Sequence, residues 1–374
     1  MTSESADKRR CPGCGAELQT EDPSRPGYVP AETLGEDGRA VCRRCFRMKH
    51  YNEFSSVAVD DDVFLQMLGR IAHTDCLVVH IVDIFDFEGS IIGGLRRFIG
   101  RNPMLVAVNK LDLLPKSVNP SRILHWVKRQ AKENGLKAVD AVLISAKKNF
   151  GLDRLVETIA RLRGSRDVYV VGATNTGKST LINRLIRDYG DLEEELTVSR
   201  YPGTTLDIIR IPLDDGRFIY DTPGIVYPYR YTEIAPKRNL KVLLPEKTIN
   251  PAVYQLRPEQ TLFFAGFARF DFAEGDPQSF TCYVSNALRI HRTKLERADE
   301  LYASQAGRLL APPSPEEAAA LPEWTVHRFT IRPGERKDVA ISGLGWIRVN
   351  GLTGARVAVH LPKGVRVVLR DALI

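Results

Sequence analysis

Between residues 76 and 190 the chain alternates short apolar runs with longer stretches in which apolar positions recur every three or four residues. The runs "CLVVHIV" (76–82), "MLVAVN" (104–109), "AVLIS" (141–145) and "VYVVG" (168–172) have the length of buried strands. Near 88–99, 119–134, 151–163 and from 178 onward the spacing is helical. Alternation of this kind predicts a parallel sheet covered on both faces. After 190 the pattern changes to a polar loop, a hairpin across "LDDG" (213–216) and the strand "RFIYD" (217–221).

From 229 onward the pattern is mostly that of strands. "TLFFAGFARFDF" (261–272) and "FTCYVSNAL" (280–288) read as strands, and "APPSPEEAAALPEW" (311–324) as a Pro/Ala/Glu linker or short helix. "RVAVHLPKGVRVVLRDAL" (356–373) alternates apolar with basic residues across a PKG turn. It predicts a strand pair with one apolar face and one Arg-bearing face, which could hold RNA phosphates or simply be solvated. Trp324, Trp346 and the Phe cluster at 263–272 are expected in the core rather than as base-stacking platforms.

Composition changes this picture little. A chain of 374 residues with 43% hydrophobic and 26% charged residues buries ample core and is expected to divide into two or three domains. No apolar run approaches the roughly 20 residues needed to span a bilayer, and "MTSESADKRR" has no signal-like apolar core, so the expected location is the cytoplasm. The net charge of +7 favours polyanionic partners, and its placement matters more than its size. Residues 331–374 hold eight Lys/Arg against three Asp/Glu, a net +5, and "CRRCFRMKH" (42–50) is a second basic cluster.

Four of the six cysteines form two CxxC pairs, Cys11/Cys14 and Cys42/Cys45, with 27 residues between the pairs. Each pair brings two thiolates to one face of a tight turn, helped by Pro12, Gly13 and Gly15, and four thiolates complete a closed tetrahedral zinc site. A disulfide or redox pair is the rival reading, disfavoured in a reducing compartment. Cys76 and Cys282 lie in apolar stretches and are expected as buried small hydrophobes.

The strand-helix frame places phosphate chemistry. "GATNTGKS" (172–179) fits the G-x-x-x-x-G-K-S phosphate loop and falls between a predicted strand and a predicted helix. Gly172 and Gly177 let backbone N–H groups curl toward an anion, at the positive end of the following helix. Lys178 is placed to reach the terminal phosphates and Ser179 to ligate Mg2+, with Asn175, Thr176 and Thr180 completing the loop. "DTPG" (221–224) ends a strand, which puts Asp221 near the metal and the Gly224 N–H near the γ-phosphate. "PGTT" (202–205) offers a hydroxyl to the metal, Thr205 in preference to Thr204.

Two further strand ends point to the base. In "NKLD" (109–112) the Asp112 carboxylate is suited to accept the guanine N1–H and N2–H, a donor pair adenine does not present. Asn109 would hold the base and the neighbouring loop, with Lys110 beside it. "SAK" (145–147) adds Ser145, Lys147 and a backbone N–H from Ala146 for the guanine O6. GTP or GDP is therefore the expected ligand, and a small-metabolite kinase is disfavoured by Asp112.

In Ras-like GTPases the phosphate loop precedes Asn-Lys-x-Asp. Here the order is NKLD, SAK, phosphate loop, Thr loop, DTPG, which implies a circularly permuted domain. Rejoining is physically cheap, because domain termini commonly lie close together and "RGSRD" (163–167) suffices as the new link.

With these motifs the chain resembles the YqeH-type circularly permuted GTPases, and the likeness covers the CPGC…CRRC module, the permuted domain and a C-terminal extension. The resemblance implies GTP hydrolysis, Mg2+, and a role in assembly of the small ribosomal subunit, with a subunit precursor, rRNA or ribosomal proteins as partners. The residue after DTPG is Ile225, where Ras-like enzymes place a water-orienting Gln, so slow intrinsic turnover is expected. Related GTPases with a hydrophobic residue here include several that bind K+ through a phosphate-loop Asn, a position Asn175 occupies. Asn175 would then contribute to catalysis with Lys178, Thr205 and Gly224; capping of the loop is its alternative role.

The expected architecture is α/β: a four-cysteine zinc module at 1–55, a circularly permuted, Ras-like P-loop GTPase domain at 56–228, and a β-rich RNA- or protein-binding region at 229–374 containing the linker 311–323. The expected function is a GTP-driven assembly switch. The alternative is a GTP-gated RNA-binding scaffold with negligible turnover.

Overall fold

A computed structural model describes residues 11, 17–23, 27–33, 40–43, 46, 58–59, 67–189, 197–200 and 207–374. The chain forms two compact units. The first takes Met1–Asp83, Ser90–Lys110 and Val127–Val226; the second takes Ile84–Gly89, Leu111–Trp126 and Tyr227–Ile374.

The first unit contains strands β1 (Ala58–Val59), β2 (Cys76–Asp83), β3 (Met104–Asn109), β4 (Asp140–Leu143), β5 (Asp167–Gly172), β6 (Thr197–Arg200), β7 (Asp207–Pro212), β8 (Phe218–Asp221) and β9 (Gly224–Ile225). Seven of them form one sheet in the order β4-β3-β2-β5-β8-β7-β6. The run β4-β3-β2-β5-β8 is parallel throughout, and β7 and β6 extend it antiparallel. Helix α1 (Pro120–Glu133) follows β3, α2 (Leu152–Arg163) follows β4 and α3 (Lys178–Tyr189) follows β5.

The period of the sequence explains the packing. Alternate residues Leu77, Val79 and Ile81 of β2 share a core with Leu152, Leu155 and Ile159 of α2 and with Leu181, Ile182 and Leu185 of α3. Fully burying each such side chain is worth about 1.5–3 kcal/mol. The opposite face of β2 is buried too, so the strand reads as a nearly uninterrupted apolar run. Its interior polar residue, His80, is buried and accepts the Ile92 N–H at 3.2 Å.

The helical pattern expected near 88–99 resolves into two single-turn helices, Phe87–Ser90 and Leu95–Phe98. Gly94 between them has φ +68°, a left-handed conformation that no continuous helix contains. The run expected to be a strand over 141–145 stops at Leu143, because Ser145 closes a turn with Phe150 through two backbone hydrogen bonds of 2.9 and 3.1 Å.

The second unit is a β-sandwich. Its strands are β10 (Ala252–Leu256), β11 (Gln260–Phe264), β12 (Ala268–Glu274), β13 (Gln278–Val284), β14 (Ile290–Lys294), β15 (Trp324–Ile331), β16 (Lys337–Ile341), β17 (Gly345–Val349), β18 (Ala355–Pro362) and β19 (Val367–Asp371). They form two five-stranded antiparallel sheets, β10-β13-β17-β16-β19 and β14-β11-β12-β18-β15, which share one core. Across it Phe280 meets Phe270 and Phe272 at ring-centroid distances of 5.4 and 4.8 Å. Cys282, Trp346 and the phenylalanines of the 263–272 cluster are all buried, as expected. Trp324 is only half-buried, because it starts β15 and packs on the Tyr302 ring at 4.3 Å outside that core.

Two further expectations for this region change. The strands flanking the PKG turn do not pair with each other: β18 pairs with β12 and β15, and β19 pairs with β16 in the other sheet. The expected Arg-bearing face is also largely committed within the protein. Arg370 is buried, bonded to Glu88 and 3.5 Å from Asp338, Arg366 lies over the Tyr229 ring, and Arg356 pairs with Glu274 at 2.9 Å. The 311–323 stretch follows helix α4 (Ala298–Gln305) and holds helix α5 (Pro315–Ala320), started by a capping box between Ser314 and Glu317. No helix among the described residues is long and apolar enough to cross a membrane.

Candidate nucleotide site

The phosphate loop leaves the central strand β5 at Gly172 and enters α3 at Lys178, so it stands at the carboxyl edge of the sheet. Two of its residues, Asn175 (φ +61°) and Gly177 (φ +84°), are left-handed, which curls the backbone. Asn is among the few side chains that tolerate that conformation, a local reason for its presence at this exposed position. At Gly177 space matters as well: a Cβ would stand 2.4 Å from the Asn109 amide.

Asn109, at the end of β3, ties two loops together. Its Nδ2 donates to the Thr176 carbonyl at 2.9 Å, and its Oδ1 accepts the Ala146 N–H at 3.0 Å. The SAK segment and the phosphate loop are thus joined by one buried amide. The Ala146 N–H, expected to face the guanine O6, is engaged by Asn109. Ser145 is buried, with its hydroxyl accepting the Lys148 N–H at 3.0 Å, while Lys147 is exposed.

Lys178 is buried, and its ammonium donates to Asp221 at 2.5 Å and to the Thr222 carbonyl. The side chains expected to serve the phosphates and the metal therefore pair with each other. Ser179 and Thr180 occupy the first turn of α3. Gly224 and Ile225 form β9, which pairs in parallel with β1; the Ile225 carbonyl accepts the Thr174 N–H at 2.8 Å, and its side chain is buried. A buried Ile there has no polar group to offer water. Thr205 lies outside the described residues.

Two participants, Asp83 and Arg184, carried no motif. Lys110, itself left-handed at φ +67°, reaches Asp83 at the end of β2 at 2.6 Å. Arg184 on α3 points at the Ala146 and Lys147 carbonyls, 3.4 Å from each. Its place nearly two turns along the phosphate-loop helix was the available signal. Asp112 occupies the one-turn helix Leu111–Leu113, half-buried, within the second unit.

Of the four expected zinc ligands, Cys11 and Cys42 are described; both are buried, and the Cys42 N–H points at Cys11 Sγ at 3.3 Å. An N–H directed at sulfur is what a thiolate in a metal knuckle would accept. Cys14 and Cys45 lie outside the described residues, and no group of three metal-ligating side chains occurs among the described ones.

A mostly parallel sheet with a phosphate loop on its central strand, Asp221 ending the neighbouring strand and Asn109 reached earlier in the chain defines a circularly permuted P-loop GTPase. Residues 167–252 match the family described as 50S ribosome-binding GTPase, and residues 277–373 match YqeH-like, C-terminal. The chain is 49% identical to the uncharacterized protein YqeH of Bacillus subtilis over 97% of its own length and 99% of that protein's. It is 30% identical to the NO-associated protein 1, chloroplastic/mitochondrial, of Arabidopsis thaliana, over 97% of its own length and 76% of the relative's. The chain belongs to the YqeH family. A crystal structure of GNP-bound YlqF from T. maritima matches half of the chain and 66% of its own at 24% identity with a TM-score of 0.32, and the assignment rests on the sequence relatives instead.

Proposed function

We propose that the protein is a GTP-hydrolysing switch in the assembly of the small ribosomal subunit, acting in the cytoplasm. The observation that carries the nucleotide reading is the Asn109 bridge, which holds a phosphate loop and a base-side loop in one frame. Lys178 and the loop N–H groups from Asn175 to Lys178 bind phosphate; Asp112, with Lys110 and the 145–147 loop, reads guanine. Ser179, Asp221 and Thr205 would hold Mg2+, which supplies neutralising charge on the phosphates, and the carboxylate at the β8 end supports that fit. Asn175 would assist a K+ ion, and Cys11, Cys14, Cys42 and Cys45 would hold Zn2+ as a structural group.

Partner choice rests on chemistry and family. Within the +5 segment 331–374, the exposed Arg332, Arg336 and Lys363 suit an rRNA backbone or an acidic ribosomal protein face. One family description names the 50S particle, so the subunit is a distinct outcome of the test. Full-length protein is sedimented with separated small and large subunits and their precursors, in K+ buffer, with a non-hydrolysable GTP analogue or GDP. Nucleotide-dependent association with small-subunit particles is expected; association with the large subunit alone, or none, overturns the proposal. The buried Ile225 favours a second reading, a GTP-gated scaffold with negligible turnover, which holds if particles bind but do not raise hydrolysis.

A further inference from the structure

Asp112 can read guanine only if its carboxylate is held in the plane of the base, and it sits in the one-turn helix Leu111–Leu113. The backbone of that helix is held by a loop from far along the chain. The Thr248 hydroxyl donates to the Asp112 carbonyl at 2.8 Å, and the Ile249 N–H donates to the Leu113 carbonyl at 2.9 Å. Ile249 and Leu113 are both buried. The 248–250 loop is in turn bracketed by one side chain. Asn286, in the turn after β13, donates from Nδ2 to the Thr248 carbonyl at 2.9 Å and accepts the Asn250 N–H on Oδ1 at 2.9 Å.

We infer that Thr248 is a positioning residue for guanine specificity, with Asn286 holding it in place. The inference rests on the guanine reading of Asp112 given above. A merely structural strap would satisfy the same carbonyls, but it would not distinguish one purine from another. The carboxylate makes two hydrogen bonds to guanine and one to hypoxanthine, which lacks the N2 amine. Loosening Asp112 therefore weakens GTP more than ITP.

The test is equilibrium binding of GTP and ITP to the full chain. Thr248→Val replaces the hydroxyl with a methyl of similar size, and Thr248→Ser keeps the hydroxyl. Wild type is expected to prefer GTP. Thr248→Val should lower the GTP-over-ITP ratio by roughly three- to tenfold, the effect of losing one modest hydrogen bond's worth of alignment, with ITP affinity nearly unchanged and the ratio restored in Thr248→Ser. Asn286→Asp keeps the acceptor for Asn250 and loses the donor to Thr248, so it should lower the ratio in the same direction; it serves if Thr248→Val does not fold. If wild type shows no preference for GTP, the guanine reading itself falls. If wild type prefers GTP and the ratio stays at the wild-type value in whichever of these variants fold, Thr248 is only a strap.

Discussion

The Lys178 ammonium is buried against the Asp221 carboxylate, an ion pair at 2.5 Å joining the two side chains that phosphate and metal chemistry assign to different ligands. Nucleotide binding must exchange this pair for contacts of each partner to the incoming phosphates and their cation. Breaking one half of a buried pair leaves the other charge uncompensated, at a cost of about 3–5 kcal/mol. Asp221→Asn should therefore lower the melting temperature of nucleotide-free protein, and GTP with Mg2+ should recover less stability than in wild type. Thermal unfolding with and without nucleotide measures both; an unchanged nucleotide-free melting temperature would refute the pairing.

Guanine specificity gives the next test. Asp112→Asn exchanges an acceptor for a donor, so GTP should weaken by about 1.5–3 kcal/mol, the scale of a hydrogen bond to a charged group, while xanthosine nucleotides gain. Competition titration of GTP against XTP reports the switch. Retained GTP preference would remove Asp112 from the base site.

Acid sensitivity should be carried in the first unit by His80. Burial lowers its pKa from 6.5 to about 4. Between those values the unfolded chain binds a proton that the folded unit refuses, so its stability contribution, present above pH 6.5, is lost progressively as pH falls toward about 4. The full loss is on the order of 3 kcal/mol from 1.36 kcal/mol per pKa unit. Asp338 in the second unit acts with opposite sign: burial raises its pKa to about 6, so its contribution is present below 3.8 and lost as pH rises through about 6. Denaturant midpoints across pH 4–7 for wild type and His80→Leu should show a shallower slope in the variant. Parallel slopes would show that His80 does not titrate this way.

The motifs were legible because each carries its chemistry in a few adjacent residues and each falls at a strand end. Gly172, Lys178, Asn109 and Asp221 needed only the strand-helix alternation to be placed on one edge of the sheet. Partnership was not legible. Alternation in 356–373 marked which residues are apolar, but the period of a strand says nothing about which strand it pairs with, so β18 and β19 went unseen as members of different sheets. Burial of Arg370 depends on Glu88, 282 positions away, and the hold of Thr248 on Asp112 spans 136, separations that no local pattern records.

The cysteine module yields a metal prediction. One Zn2+ per chain is expected by elemental analysis, and Cys11→Ser or Cys42→Ser should lose it and expose the first ~55 residues to protease, because such modules draw folding free energy from the metal. A protein that is metal-free yet equally protected there would contradict the assignment.

Permutation gives the last prediction its form. In an unpermuted GTPase the segment after DxxG returns to the same sheet, so its response to the γ-phosphate must be read by a separate partner. Here the chain runs from Gly224 and Ile225, whose carbonyl accepts the phosphate-loop Thr174 N–H, into the second unit at Tyr227. A nucleotide shifts such an equilibrium only through contacts that differ between its two states, so coupling of about 1–3 kcal/mol is expected. Gly224→Ala tests it cleanly: the added Cβ would meet Thr174 at 3.4 Å, an ordinary contact, so the fold should survive while the approach to the phosphate narrows. Hydrogen exchange across 227–374 is compared with a GTP analogue and with GDP. Wild type should show a nucleotide-dependent difference and Gly224→Ala a smaller one. Identical exchange in the two nucleotide states of the wild type would mean that the chain after Ile225 carries no signal.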